Sequence, residues 1–457
     1  MCPRTEQRIA DPAPDQGQGQ GQSTGKGRVR GWLLRGAGII LVTVVSWAAG
    51  IAAACITAML LLDVPVIVVA AIGTCLGVAG AGAWLVTRST RHRRAATAVL
   101  AAAIVAVLVV SGAPILGSPL PSQRPPGPPT AMPDGVRHWT LPTGSRVAYR
   151  HLPADGPSRR SPVIVVGGGP GEAIVGDPVT DVPFRELTRH GYDVYLYDQI
   201  GAGLSGRLTD PSGYTVARHV ADLEAIRVRL GVEQLILVGA SWGGSLSASY
   251  LAEHPDRVQR MVVSSPGPID YARWTDAGDA TARLPAETRQ RARDLLPGHP
   301  RFLALYLLGG IDPVAAHHLA PDEEMDAYFD TFLSMISPAT VCDPANVSGS
   351  PESGNGLYSN MFTGLDARSG AQSTVRRQLR DNRTPTLVIT GECNYVPWEP
   401  TAEYATTLPR STLVCVPDAG HVVELDRPDL YAGMLRNFLL DRPLPVPDTS
   451  PDRPCHP

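Results

Sequence analysis

Three apolar stretches near the N-terminus, residues 37–62, 64–86 and 95–116, restrict this chain more than any other feature. A helix needs about 20 residues to cross the hydrocarbon core of a bilayer. In lipid only an internally hydrogen-bonded segment satisfies its own backbone. Each stretch is long enough, so the sequence predicts three transmembrane helices over 31–117. Asp63 and Pro65 mark the turn between the first two, and Arg88, Arg91, His92, Arg93 and Arg94 separate the second from the third. Lys26, Arg28, Arg30 and Arg35 flank the first stretch on its N-terminal side. Basic flanks stay cytoplasmic. The polar segment 1–30, too poor in apolar residues to fold, is thereby expected as a disordered cytoplasmic tail. Three crossings then place everything beyond 117 outside the cell, with membrane lipid as the first partner. Gly73 and Gly77 form a small-xxx-small pair that suits close helix approach; packing among the chain's own spans is the expectation.

Residues 118–135 are rich in proline and suit a stiff, extended spacer. From 136 onwards short β-rich runs alternate with helical stretches, the pattern of a mostly parallel sheet covered by helices. The expected central strands are 163–166, 194–197, 235–238, 261–263, 387–389 and 413–416, with helices at 215–230 and 245–254. Residues 267–380 interrupt the alternation and fit an inserted helical cap. The catalytic-size domain is therefore placed at 136–440, and the tail 441–457, rich in Pro and Asp, is expected to be disordered. The net charge of -3, from 40 basic and 43 acidic residues, supplies no footprint for nucleic acid. Cys342, Cys393, Cys415 and Cys455 lie beyond the apolar region and allow two disulfides if the compartment is oxidising. A Cys342–Cys393 bridge would pin the cap to the loop that carries Asn394.

Gly239-Ala240-Ser241-Trp242-Gly243 matches G-x-S-x-G and stands between an apolar run and a helical pattern. That context is a strand, a sharp turn and a helix, which projects the serine hydroxyl clear of the sheet. A serine hydroxyl needs an adjacent base, and His421, just after the run 413–416, is the expected one. The third member is open. Asn394 stands where an acid is expected and could orient the imidazole through its amide oxygen, without the charge of a carboxylate. Asp270 is the alternative acid, and Glu392 and Glu399 are further alternatives. Backbone N–H groups of Trp242 and of the glycine run Gly167–Gly171, Gly168 and Gly169 in particular, are expected to form an oxyanion hole. A phosphate loop is the competing explanation of that run, but the Lys-Ser/Thr ending is missing.

Gly-Gly-Gly-Pro-Gly at 167–171, Tyr197-Asp198-Gln199-Ile200-Gly201-Ala202-Gly203-Leu204-Ser205, and Gly239 through Leu246 together resemble the prolyl aminopeptidase (proline iminopeptidase) branch of the α/β-hydrolases. The likeness runs over about 136–440. It implies Ser241 as acylated nucleophile, His421 as general base, and Gly169 with Trp242 as oxyanion donors. It also implies release of an N-terminal residue, often proline, from short peptides, with no metal or cofactor. Three positions depart from the family pattern: Gly167 stands for His, Ile200 for Arg, and Asn394 for the acid. The family's cap supplies carboxylates to the substrate amine, and the run Asp322, Glu323, Glu324, Asp326 and Asp330 is placed for that, or for a solvated helix face. Two other activities fit the same machinery or fold: an esterase, lactonase or amide hydrolase on small acyl compounds, and a binding domain without catalysis.

Overall fold

The computed structural model describes residues 23–59, 64–87, 95, 97–106, 120–122, 132–158, 161–176, 178–274, 278–347 and 353–455. Residues 1–22 of the expected tail 1–30, the arginine segment 88–94 and most of the proline-rich linker lie outside these; residues 23–30, expected as disordered, are helical and continue into the first apolar stretch. Two compact units emerge, Met1–Thr57 with Pro65–Gly112, and Ala58–Val64 with Ala113–Pro457.

The first unit contains α1 (Ser23–Met59), α2 (Val64–Thr87) and α3 (Thr97–Ala106). Among the described residues one stretch, Ala70–Thr87, is long and apolar enough to cross a membrane. The other apolar helices, Ala37–Ala53 and Thr97–Ala106, are shorter, and residues 60–62 and 107–116 of the expected spans lie outside the described residues. Close approach between α1 and α2 runs through glycines other than the expected pair. A Cβ on Gly82 would stand 2.4 Å from Val42 Cγ1, and one on Gly50 would stand 3.3 Å from the Ala71 carbonyl oxygen. At Gly73 and Gly77 nothing described lies within 4 Å of that position.

The second unit is built on an eight-stranded sheet. Its strands are β1 (Val136–Thr140), β2 (Arg146–Leu152), β3 (Val163–Val166), β4 (Val194–Tyr197), β5 (Leu235–Ala240), β6 (Val258–Ser264), β7 (Thr386–Gly391) and β8 (Ser411–Val416). They are ordered β1-β2-β4-β3-β5-β6-β7-β8. The β1–β2 and β2–β4 pairs are antiparallel and all others parallel. The six expected strands are β3 to β8. Their near-continuous apolar character follows from burial on both faces. Ile164, Val166, Leu235 and Leu237 point into one core, and Val163, Val165, Ile236 and Val238 into the other.

Helices α4 (Arg185–Thr188), α5 (Val216–Leu230) and α6 (Trp242–Glu253) fill the crossovers of the first half. Thr215 caps α5 by accepting the Arg218 N–H, and Gly231, with φ 68°, ends it in the left-handed region. Between β6 and β7 lies the inserted cap: α7 (Ala286–Leu295), α8 (Pro300–Gly309), α9 (Pro313–Leu319), α10 (Asp322–Ile336), α11 (Leu357–Asp366) and α12 (Val375–Leu379). Helices α13 (Trp398–Thr407), α14 (Val423–Asp426) and α15 (Pro428–Leu439) complete the domain.

Four of the five carboxylates of the acidic run have partners, and Glu323 is exposed. Asp322 pairs with His317 at 2.7 Å, Glu324 with Arg301 at 2.7 Å, and Asp326 with Arg207 at 2.8 Å. Asp330 accepts the N–H groups of Gly354 and Asn355. Arg207 belongs to the segment after β4, so Asp326 fastens the cap to the sheet domain. Both partners are largely buried, and burial pushes the Asp326 carboxyl up to about 7 against the pull of Arg207.

The tail corrects the expectation of disorder. Thr449 N–H donates to the Leu413 carbonyl, Asp448 bridges Val414, and Cys455 is disulfide-bonded to Cys415 with Cα atoms 5.7 Å apart. Trp398 Nε1–H donates to the Pro451 carbonyl. Short polar composition misled here because these contacts lie with a strand edge and a covalent bond, which composition does not register. Cys342 and Cys393 are also bonded, Cα atoms 5.3 Å apart, and join the cap to the loop after β7.

Candidate active site

Ser241 stands between β5 and α6 with φ 50° and ψ −119°, a conformation costly for a residue with a Cβ. Its surroundings hold it there. Its N–H donates to the Ser264 carbonyl at 2.9 Å, and its carbonyl accepts the N–H groups of Gly267 and Gly244. The turn is too tight for larger neighbours: a Cβ on Gly243 would stand 2.0 Å from the Val166 carbonyl oxygen. The two glycines of the motif are thus required by close backbone approach at the elbow.

His421 and Asn394 follow β8 and β7, on the same carboxyl edge of the sheet as Ser241. His421 Nδ1–H donates to Asn394 Oδ1 at 2.9 Å. The same oxygen accepts the Val396 N–H at 3.1 Å, and Asn394 Nδ2–H donates to Thr390 Oγ1 at 3.1 Å. A backbone N–H can only donate, so the oxygen, and not the NH2 group, must face it. The oxygen in turn requires a proton on Nδ1 of the imidazole, which leaves the Nε2 lone pair as the base. Removal from water pulls the His421 pKa down to about 4, so the ring is neutral at physiological pH. Tyr395 lies against it, ring centroids 4.5 Å apart.

The alternative acids stand elsewhere. Asp270 is buried, but its carboxylate accepts the Ala272 N–H and caps the turn Tyr271–Arg273. That turn needed a cap, which explains an aspartate shortly after β6 without any role at the imidazole. Glu392 accepts the Asp418 N–H, and Glu399 stands in the first turn of α13.

Of the three expected oxyanion donors one is occupied. The Gly168 N–H donates to Glu172 Oε2 at 2.5 Å. Its donor is engaged within its own loop, which leaves the N–H groups of Gly169 and Trp242. Trp242 opens α6, where an N–H has no carbonyl four residues earlier to bond. Gly169, at φ 100°, takes a backbone conformation that favours glycine. Gln199 joins the two sides of this region: its Nε2–H donates to the Gly167 carbonyl and its Oε1 accepts Trp242 Nε1–H. Asp198 holds the loops behind them by accepting the N–H groups of Ile174, Val175 and Leu204. Burial pushes its carboxyl up to about 6 despite those bonds. Ile200, which departs from the family pattern, is buried in the hydrophobic core.

Four residues of this neighbourhood escaped the sequence reading: Glu172, Gln199, Thr390 and Tyr395. Gln199 sat inside a motif with no role attached. Glu172 was the lone charge in a run of Gly and Pro, the signal that could have singled it out. Thr390 and Tyr395 are ordinary loop and strand residues, and only contacts reveal them.

The Cys342–Cys393 bond ends one residue before Asn394. Reduction, or Cys393→Ser, is expected to lower turnover at least threefold while the far-ultraviolet circular dichroism stays unchanged. Unaltered turnover after full reduction of this bond, verified by thiol mapping, would sink that expectation.

An elbow serine and a histidine with its tautomer fixed, on one carboxyl edge of a mostly parallel sheet, are the arrangement of the α/β-hydrolase class. The chain belongs to the α/β hydrolase fold family, whose model matches residues 161–428. Among its relatives is the proline iminopeptidase of Heyndrickxia coagulans, 25% identical over 304 residues, covering 65% of this chain and 96% of that enzyme. The proline iminopeptidase of Lactobacillus delbrueckii subsp. bulgaricus is 34% identical over a shorter 128 residues, 27% of this chain and 42% of that one. The crystal structure of the Mycobacterium smegmatis proline iminopeptidase aligns with a TM-score of 0.44 at 23% identity, covering 67% of this chain and 98% of that one.

Proposed function

We propose that this protein is a membrane-anchored serine hydrolase of aminopeptidase type. Its catalytic domain faces outward and its N-terminus lies in the cytoplasm. Ser241 attacks the scissile carbonyl as His421 Nε2 takes the hydroxyl proton. The N–H groups of Gly169 and Trp242 bind the oxyanion, and the protonated His421 passes its proton to the leaving amine. Water then attacks the acyl-Ser241 ester, again with His421 as base. The observation that carries this reading is the Asn394–His421 bond, which keeps the proton on Nδ1 and leaves a neutral Nε2 as a base. Two disulfides in the domain agree with an oxidising, extracytoplasmic setting. The likeness to proline iminopeptidases supports the peptidase side.

A second activity, an esterase or amidase on small acyl compounds, draws on a different observation. Four carboxylates of the cap's acidic run already have partners, Asp326 at Arg207 and the other three within the cap, so they are not free to hold a substrate amine. Full-length protein in nanodiscs should be assayed on prolyl p-nitroanilide, N-acetylprolyl p-nitroanilide and p-nitrophenyl butyrate. The aminopeptidase reading expects kcat/KM for the free-amine anilide at least tenfold above the acetylated one. Turnover of the butyrate ester alone would replace it by the esterase.

A further inference from the structure

The carboxylate of Asp426, at the end of α14, gathers donors from two separate parts of the chain. Its Oδ2 accepts the Gly420 N–H and the Cys342 N–H, each at 2.7 Å. Its Oδ1 accepts Asn346 Nδ2–H at 2.7 Å and the Asp343 N–H at 3.3 Å. Gly420 immediately precedes His421, so Asp426 closes the loop 420–426 that carries the base. Cys342, Asp343 and Asn346 belong to the cap, in the segment that follows α10.

That cap segment is tied to both loops of the histidine–asparagine pair. The Val422 N–H, just past His421, donates to the Thr340 carbonyl at 3.0 Å. A Cβ on Gly420 would stand 2.6 Å from the same oxygen, so the two backbones run in close contact. Arg283 donates to the carbonyls of Val341, Cys342 and Cys393 at 2.7, 2.9 and 3.1 Å. Cys342 is thus held at its N–H by Asp426, at its carbonyl by Arg283, and at its sulfur by Cys393, the neighbour of Asn394. A carboxylate in the place of Asn394 would attract the imidazolium by charge; the amide offers His421 a hydrogen bond alone. Alignment of the ring therefore depends on the backbone on either side of it. A displacement of about 1 Å can cost on the order of 10²-fold in rate.

We propose that Asp426 is a positioning residue of the reaction: it locks the His421 loop to the cap segment 340–346 and so keeps the imidazole on Asn394 Oδ1. This inference rests on the reading of Ser241 and His421 as nucleophile and base. The requirement is for an acceptor and not for charge. In Asp426→Asn the amide oxygen can take the place of Oδ2 and serve the same two N–H groups, and Asn346 can turn its own oxygen toward the new NH2.

Full-length protein in nanodiscs would be reacted with a fluorophosphonate well below its unfolding midpoint, and the rate constant of labelling compared among variants. Asp426→Ala is expected to be at least tenfold slower than wild type. Asp426→Asn should recover the rate to within about threefold, a rescue that a need for charge would not allow. Wild-type labelling by Asp426→Ala, or an asparagine variant as slow as the alanine one, overturns the positioning role. A wild-type protein that is folded yet unlabelled overturns the hydrolase reading instead. Where Asp426→Ala fails to fold, Asn346→Ala decides: at a partly exposed site it removes one tie of the same carboxylate to the cap. Labelling at least threefold slower is expected there, and an unchanged rate overturns the proposal.

Discussion

Replacement of Ser241 by alanine is expected to abolish hydrolysis and fluorophosphonate labelling together, with a loss of kcat on the order of 10³ to 10⁶-fold. The large factor follows from the role: without the hydroxyl no acyl-enzyme forms, and only binding and the oxyanion N–H groups remain to assist attack by water. The fold should tolerate the change. Ser241 is held by its backbone through Ser264, Gly267 and Gly244, and these bonds are indifferent to the side chain. Alanine retains the Cβ, so the positive φ costs the same in both proteins. Labelling would be read on the full-length protein in nanodiscs, with thermal unfolding followed alongside. Persistent labelling of the alanine variant, or a wild-type protein that is folded yet unlabelled, removes Ser241 from the mechanism and favours a binding domain.

The second large effect concerns Asn394, where two substitutions should part in opposite directions. Asn394→Leu removes the acceptor for His421 Nδ1–H and frees the ring to turn or change tautomer. Turnover is expected to fall about 10²- to 10⁴-fold, in line with the loss of a properly oriented triad histidine elsewhere. Asn394→Asp keeps every contact. The carboxylate still accepts from His421 Nδ1–H and the Val396 N–H, and the Thr390 hydroxyl turns to donate rather than accept. What it adds is charge. A carboxylate favours the imidazolium, so the His421 pKa must rise from about 4 toward or beyond its ordinary 6.5. The base works only when neutral. The acid limb of kcat/KM against pH, which reports the free enzyme, is therefore expected near pH 4 in the wild type and at least one unit higher in the aspartate variant. Above pH 7 the aspartate variant should be the faster, because its carboxylate stabilises the imidazolium formed in the transition state. Each 1.4 kcal/mol of that stabilisation is about tenfold in rate. Coincident pH profiles for the two proteins, or full activity in Asn394→Leu, would show that Asn394 does not act through His421.

An asparagine in this position is compatible with activity for a definable reason. An amide can present either end to the imidazole, and the wrong end would fix the wrong tautomer. Val396 N–H and Thr390 Oγ1 leave one choice, with the oxygen toward Nδ1. The departure from the family pattern costs the enzyme charge but not geometry.

Much of this was legible from local pattern. Strands β3 to β8 declare themselves because a parallel sheet covered on both faces needs unbroken apolar runs. Ser241 is visible because the elbow admits only small residues on either side, and that demand is written into five consecutive positions. His421 follows from its place after the last strand. Other residues were not legible, and each for a physical reason. The α10 acidic run looks like a solvated face or a ligand set because Arg207 and Arg301 lie too far away in sequence to be read as its partners, and His317, though near, belongs to the helix before the turn. The tail 441–455 looks disordered because what holds it is a disulfide and the edge of β8.

The sequence alone thus determined the α/β class, the six parallel strands, the elbow serine and the histidine that follows the last strand, since all depend on neighbours along the chain. Only the tertiary structure brought Asn394, and not Asp270, to the imidazole, assigned Gly168 to Glu172 and gave four of the cap's carboxylates their partners. Those outcomes depend on which side chains meet across the sheet edge and which lose their water, and such encounters arise when distant segments pack.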